Sequence, residues 1–266
     1  MMPRKFFLIG VILVWALAAC DMFKEDEVVV PTIADVEDAA TAIVLTENAP
    51  PEGFQTVTYN EIDENLSQIA YSRFDIEITF EGIYADTSEA TTGSMYLEAV
   101  ANQLAVAREV DIEFVGEVFS GGATDLKAVR LSNNYYMINP NGVCITETSQ
   151  IQEIANIRAG QIIGGVESAG PTGNRGEVNG YQVWQYGFAP EALVRPQLQT
   201  TAELDLLTGE LWVAPEFQVV IQYTVEMNVE NAQLLFGNRP VTGRVRFEYN
   251  VYDLNLEKNI SIPNGC

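Results

Sequence analysis

Thirty-seven carboxylates and not one histidine bound the chemistry open to this chain of 266 residues. With so many Asp and Glu side chains some pair lies close in space, and two carboxylates facing each other across a cleft are the equipment of a glycan hydrolase. The sequence gives no means of choosing that pair. Asp75, Glu77, Glu81, Asp111 and Glu113 fall in alternating stretches that place them on a solvated strand face. Ser168 lies in Gly165-Val166-Glu167-Ser168-Ala169-Gly170, which is not the nucleophile-elbow pattern, and no imidazole exists to activate it. The glycines from Gly164 to Gly176 lack the Lys-Ser/Thr ending of a phosphate cradle and read as a flexible surface loop. Without His, or a cysteine to spare, a metal site would have carboxylates alone. The expectation is a protein that is not an enzyme and uses no metal or cofactor. Trp184, Trp212 and the pair Tyr135-Tyr136 would stack on a sugar if they point outward and are packing residues if they do not.

Cysteine supplies the one clear chemical signal. Arg4 and Lys5 form a positive start, and the apolar run from Phe6 ends in Leu17-Ala18-Ala19-Cys20. The run is shorter than the roughly 20 residues that span a bilayer, so residues 1–19 read as a removable export leader. Its ending resembles the bacterial lipobox, which implies cleavage before Cys20 and a diacylglycerol on that thiol. Cys144 and Cys266 then remain as an even pair in an exported chain, where disulfides persist, and we expect them to be joined.

Loss of the leader removes two positive charges, so the net charge of −23 becomes −25. A surface this acidic repels phosphate backbones and excludes nucleic acid as a partner.

The elements that would position any site follow from periodicity. Residues 20–55, with Glu25-Asp26-Glu27, Pro31, Pro50 and Pro51, have the composition of a disordered acidic tether. Residues 56–266 form one folded domain. Ile62, Leu66, Ile69 and Ala70 have helical spacing, as do Ile151, Ile154, Ala155 and Ile162 in a helix expected from Ser149 to about Ile163, and a brief helical turn is expected at Pro190 to Val194. Strict alternation marks strands at Phe74 to Glu81, Val110 to Phe114, Val219 to Val229 and Val245 to Val251. Asn133-Asn134, Asn141-Gly142, Asn179-Gly180 and Thr208-Gly209 read as hairpin turns between antiparallel neighbours. The expected fold is mainly β (α+β): a single curved antiparallel sheet or half-barrel, with two or three helices over its concave face.

With its lipobox, acidic spacer, helix leading into Phe74-Asp75-Ile76-Glu77-Ile78, long meander, Gly209-Glu210-Leu211-Trp212-Val213 and the ending Pro263-Asn264-Gly265-Cys266, the chain resembles the LolA, LolB and LppX/LprG lipoproteins. The resemblance covers about residues 56–266. It implies a half-barrel that holds acyl chains of lipids or lipoproteins on its concave face, and so a hydrophobic ligand or lipid as partner. Phe74, Ile76, Ile78, Phe80, Ile221, Tyr223, Val225, Phe247, Tyr249 and Val251 are the candidates for that face. They line a ligand cavity or make a plain core; alternation allows both. A membrane contact through the lipid on Cys20, an envelope protein as partner, and a place on the outer face of a bacterial cytoplasmic membrane or in the periplasm complete the expectation. The alternative is a cell-surface module that binds a protein or glycan and has no cavity.

Overall fold

Long strands with one apolar and one polar face dominate the chain, and their register fixes everything else. A computed structural model describes residues 48–119, 125–139, 141–146, 148–194, 203–237 and 239–266. The leader, Cys20 and the tether as far as residue 47 lie outside the described residues.

Strand β1 (Val57–Tyr59) is followed by β2 (Tyr71–Tyr84), β3 (Ala90–Asn102), β4 (Ala107–Val115), β5 (Asp125–Leu131), β6 (Asn134–Ile138) and β7 (Cys144–Thr146). Two short helices, α1 (Ser149–Ala155) and α2 (Ala159–Ile163), precede β8 (Gly165–Val178), β9 (Tyr181–Gly187), β10 (Leu193–Val194), β11 (Glu203–Ala214), β12 (Val219–Ala232) and β13 (Val241–Tyr252). The described strands make one antiparallel sheet in the order β1-β8-β9-β11-β12-β13-β2-β3-β4-β5-β6-β7, with β10 paired to β8. Its outermost strands, β1 and β7, are three residues each, and such short edges offer little template for further pairing.

The sheet centre shows why the order holds. Phe74, Ile76, Ile78 and Phe80 of β2 stand opposite Val251, Tyr249, Phe247 and Val245 of β13. On the other flank Ala99, Leu97 and Met95 of β3 face Phe74, Ile76 and Ile78, and Val110, Ile112 and Phe114 of β4 continue the rows. Tyr223, Val225 and Met227 of β12 extend them past β13. One face is therefore apolar across five strands, and a slip of one residue in any ladder would turn that strand's apolar set to water. Burying each such side chain contributes about 1.5–3 kcal/mol relative to leaving it exposed.

That face is hidden because the sheet curls. β8 and β12 are three places apart, about 14 Å in a flat sheet. Yet the inward Tyr223 hydroxyl donates to the Gly165 carbonyl at 3.5 Å, and Tyr59 on β1 donates to Gln218 at 3.3 Å. The first residues of β8, with β1 beside them, thus lie over the inner face of β12.

Several expectations are corrected. The glycine-rich stretch is strand β8, not a loop: Gly165 approaches β1 so closely that a Cβ would meet the Tyr59 carbonyl oxygen at 2.1 Å, so glycine here serves pairing. Thr208-Gly209 is not a hairpin turn but lies inside β11, where a Gly209 Cβ would sit 2.4 Å from the Phe188 ring. The helix expected around residues 62–70 is a 3-10 turn, Glu64–Gln68. The helix expected from 149 to 163 is broken at residues 156–158 into α1 and α2, and α1 packs on β4, β5 and β6. At Pro190–Ala192 there is a short 3-10 turn. Asn179-Gly180 does turn β8 into β9, both residues having positive φ (52° and 86°) as a two-residue hairpin requires.

Cys144 on β7 and Cys266 are joined in a disulfide, Cα atoms 5.2 Å apart, which ties the chain's last residue to the sheet edge. The bridge spans 122 residues. A loop of that length restricts the unfolded chain by about 4–5 kcal/mol in the chain-entropy model. Replacing both cysteines with serine is expected to lower the urea midpoint correspondingly, and reductant is expected to have no further effect on the variant.

Candidate functional site

All ten residues proposed for the concave face share the inner side of the sheet, and none is more than 4% exposed. They pack against one another and against covering segments: Phe74 lies 5.6 Å from Tyr249 ring to ring, and Phe188 stacks on Tyr223 at 6.0 Å. At one end Val118, Phe119 and Leu234 close the interior, with Phe119 bridged to Gly237 and Phe114 edge-on to Phe236 at 5.4 Å. None of the ten lines any of the three cavities described next.

A groove of about 360 Å³ lies where two covering segments meet, lined by Gln150, Glu153 and Ile154 of α1, Ile157 of the connector, Gln161 and Ile162 of α2, and Leu235 and Phe236. Five of its eight side chains are apolar. A second cavity, about 370 Å³, is lined by Leu204, Asp205, Asn228, Val229, Glu230, Thr242 and Gly243 where β11, β12 and β13 meet. A third, of about 190 Å³, lies between β3 and residues 253–258.

Beside the first groove sits a charged cluster that periodicity could have revealed. Arg108 has the same phase as Val110, Ile112 and Phe114, and Arg130 the same phase as Ala128, so both point inward. The Arg108 guanidinium donates to the Ile157 carbonyl, and Arg130 donates to Asn156 Oδ1. Burial pulls the Arg108 guanidinium down to about 10; nearby Asp63 opposes that shift, and Arg130 and Arg158 add to it. Arg108 also lies over the Phe74 ring, 5.6 Å from its centroid. Asp63, buried, accepts from the backbone of Ala159 at 3.0 Å and Gly160 at 2.9 Å, while Arg158 pairs with Glu61 and reaches Asp63 at 3.8 Å. The connector 156–158 is thus held on its inner side by arginines and presents Ile157 to the groove.

On the outer face Asp75 accepts from Asn250 at 3.1 Å and Asp111 pairs with Lys127 at 3.0 Å, while Glu77, Glu81 and Glu113 are exposed. Trp212, Tyr135, Tyr136 and Trp184 are half-buried, the last with Arg175 5.7 Å from its ring centroid.

No protein-family model and no curated protein matches the sequence. Among solved structures, the fold is similar to a DUF1329 family protein from Desulfovibrio piger (8% identity, TM-score 0.23, covering 76% of this chain and 96% of that one). It is also similar to a LolA superfamily protein from Nitrosomonas europaea (11%, TM-score 0.23, 77% and 96%) and to an outer membrane lipoprotein-sorting protein domain from Vibrio parahaemolyticus (9%, TM-score 0.25, 75% and 92%). Proteins of the kind the sequence resembles are thus among the similar structures, and at these TM-scores the likeness carries no weight for function.

Burial raises the pKa of the Tyr59, Tyr223 and Tyr249 hydroxyls, and raises that of Tyr186, which donates to Phe54 O at 2.8 Å, to about 12. The folded state therefore favours protonated phenols, while those of the unfolded chain ionise near 10. Stability from this source is complete below pH 10 and is lost as the pH rises through about 12 for Tyr186. Urea midpoints from pH 9 to 12 are expected to fall, and Tyr186→Phe to fall less steeply over that window.

Proposed function

We propose that this chain is an exported lipoprotein, held to a membrane through a lipid on Cys20, that binds and carries a hydrophobic ligand in the bacterial envelope without doing chemistry on it. The ligand's acyl part occupies the groove between α1, α2 and residues 235–236. The observation that supports this is the groove's lining: Ile157, Leu235 and Phe236 leave apolar surface in contact with water above the buried Ile154 and Ile162. Its 360 Å³ falls within the range of about 300–1,000 Å³ typical of small-molecule sites. The ten inner-face side chains are the surface that a ligand would reach if the seam between the two covers parted. An envelope protein would load or receive the cargo, on the outer face of the cytoplasmic membrane or in the periplasm.

The rival reading, an interaction module with no ligand, has support of its own: the inner face is filled by the protein's own side chains. Displacement of the apolar fluorophore N-phenylnaphthylamine by octanol, decanol and dodecanol separates the two. A chain in the groove tightens binding by about 0.8 kcal/mol, roughly fourfold, per methylene. Phe236→Gln is expected to weaken all three alcohols. Failure of every alcohol to displace the probe, or affinity independent of chain length, would favour the interaction module.

A further inference from the structure

Among the described residues, Arg108 and Arg130 are the arginines of the sheet that point inward without a carboxylate partner; Arg175, which also has none, is exposed and lies over the Trp184 ring. Arg73, Arg244 and Arg246 each pair with a carboxylate, as do Arg158 and Arg239. Among the described residues, Arg108 and Arg130 take part in no ion pair, and their only hydrogen-bond acceptors are the neutral Ile157 carbonyl and Asn156 amide oxygen. The Nε–H of each is buried with no partner, and so is the Tyr249 hydroxyl. The nearby carboxylates are already engaged, Asp63 by two backbone N–H groups and Arg158, and Glu61 by Arg158. Within the cluster three guanidinium groups thus meet two carboxylates, Glu153 lying outside it in the lining of the groove. A local excess of positive charge sits inside a strongly acidic protein, in surroundings where an unpaired charge is costly.

The cluster borders the groove. Ile157 turns its side chain into the groove and its carbonyl to Arg108, so a single peptide unit separates apolar lining from uncompensated cation. We propose that the hydrophobic ligand is a single-chain amphiphile with an anionic head, a carboxylate or a phosphate, and that Arg108 and Arg130 recognise that head while the tail lies against Ile154, Ile162 and Phe236. The inference rests on the groove reading above and deepens it. The donors an oxyanion would take are those now without acceptors, the two Nε–H groups and the Tyr249 hydroxyl, and guanidinium supplies the strong, charge-assisted kind of bond. Glu153 is the one charged residue of the groove's lining, so the overall acidity and Glu153 slow the approach of an anion, and the attraction comes from the guanidinium groups behind Ile157.

Four probes of equal chain length test it on the full exported chain carrying Cys20→Ser, at pH 8 and below their micelle concentrations: dodecanoate, dodecyl phosphate, dodecanol and dodecyltrimethylammonium. Dodecanoate and dodecyl phosphate are expected to bind about 10- to 100-fold tighter than dodecanol, the span of a hydrogen bond to a charged group, and the ammonium probe more weakly than dodecanol. Arg108→Gln and Arg130→Gln are each expected to shrink the ratio of dodecanoate to dodecanol affinity. The comparison of heads on the unmutated chain stands even if a variant fails to fold. Equal binding of dodecanol and dodecanoate overturns the head site and leaves the groove reading intact; no binding by any of the four overturns both. Inorganic phosphate alone is expected to bind far more weakly than dodecyl phosphate, and equal affinity would show a free-anion site and overturn the amphiphile.

Discussion

Alternation sustained over strands of 12 to 14 residues leaves this chain one means of staying folded: the apolar side of every long strand must be taken out of water at once. The rows through Phe80–Val245, Ile78–Phe247, Ile76–Tyr249 and Phe74–Val251 are in register, so the strands cannot settle the matter separately. The two α-helices among the described residues, of seven and five residues, are too small to cover such a face. The sheet covers itself instead, bringing the start of β8 over β12 so that Tyr223 reaches Gly165, while α1 packs on β4, β5 and β6.

Those closures are unequal. Phe119, Leu234 and Val118 seal one end with side chains that are at most 3% exposed. The connector between α1 and α2 is held by polar bonds from Arg108 and Arg130, which give up water to do so. Where the apolar seal and the polar clamp meet, the surfaces do not fit together fully, and the groove beside Ile157 and Phe236 is the result. Buried guanidinium groups are a poor choice for stability alone, since apolar residues of similar volume often do as well or better in their place. Their presence at this boundary is more easily understood if the boundary meets something charged.

How far the residues themselves announced this depends on the signal each carries. Phe74 to Phe80 and Val245 to Val251 declare strand and face together, because a period of two has one structural meaning. Asn179-Gly180 declares its turn because both residues need positive φ. The glycines of β8 misled, since glycine marks both loops and places where another backbone comes close, and only the three-dimensional neighbour, Tyr59 against Gly165, tells them apart. Ile62 to Ala70 has helical spacing but is too short to hold a helix without tertiary support, and it settled as a 3-10 turn. Arg108 was legible in phase with Val110 and Ile112, yet a charge in an apolar row invites the opposite assumption. Leu235 and Phe236 belong to no period at all, so their place in the groove could not be read before the fold was known.

Carbon-labelled methyl groups of Ile, Leu and Val, observed by NMR as dodecanol is added, test the central claim that the curled interior is packed and that a guest lodges at the seam. The account predicts shifts and ligand contacts at Ile154, Ile157, Ile162 and Leu235, with Ile76, Ile78, Ile221 and Val225 left unmoved at low occupancy. Contacts that appear first at Ile76, Ile78 and Ile221, with the seam methyls unchanged, would contradict it.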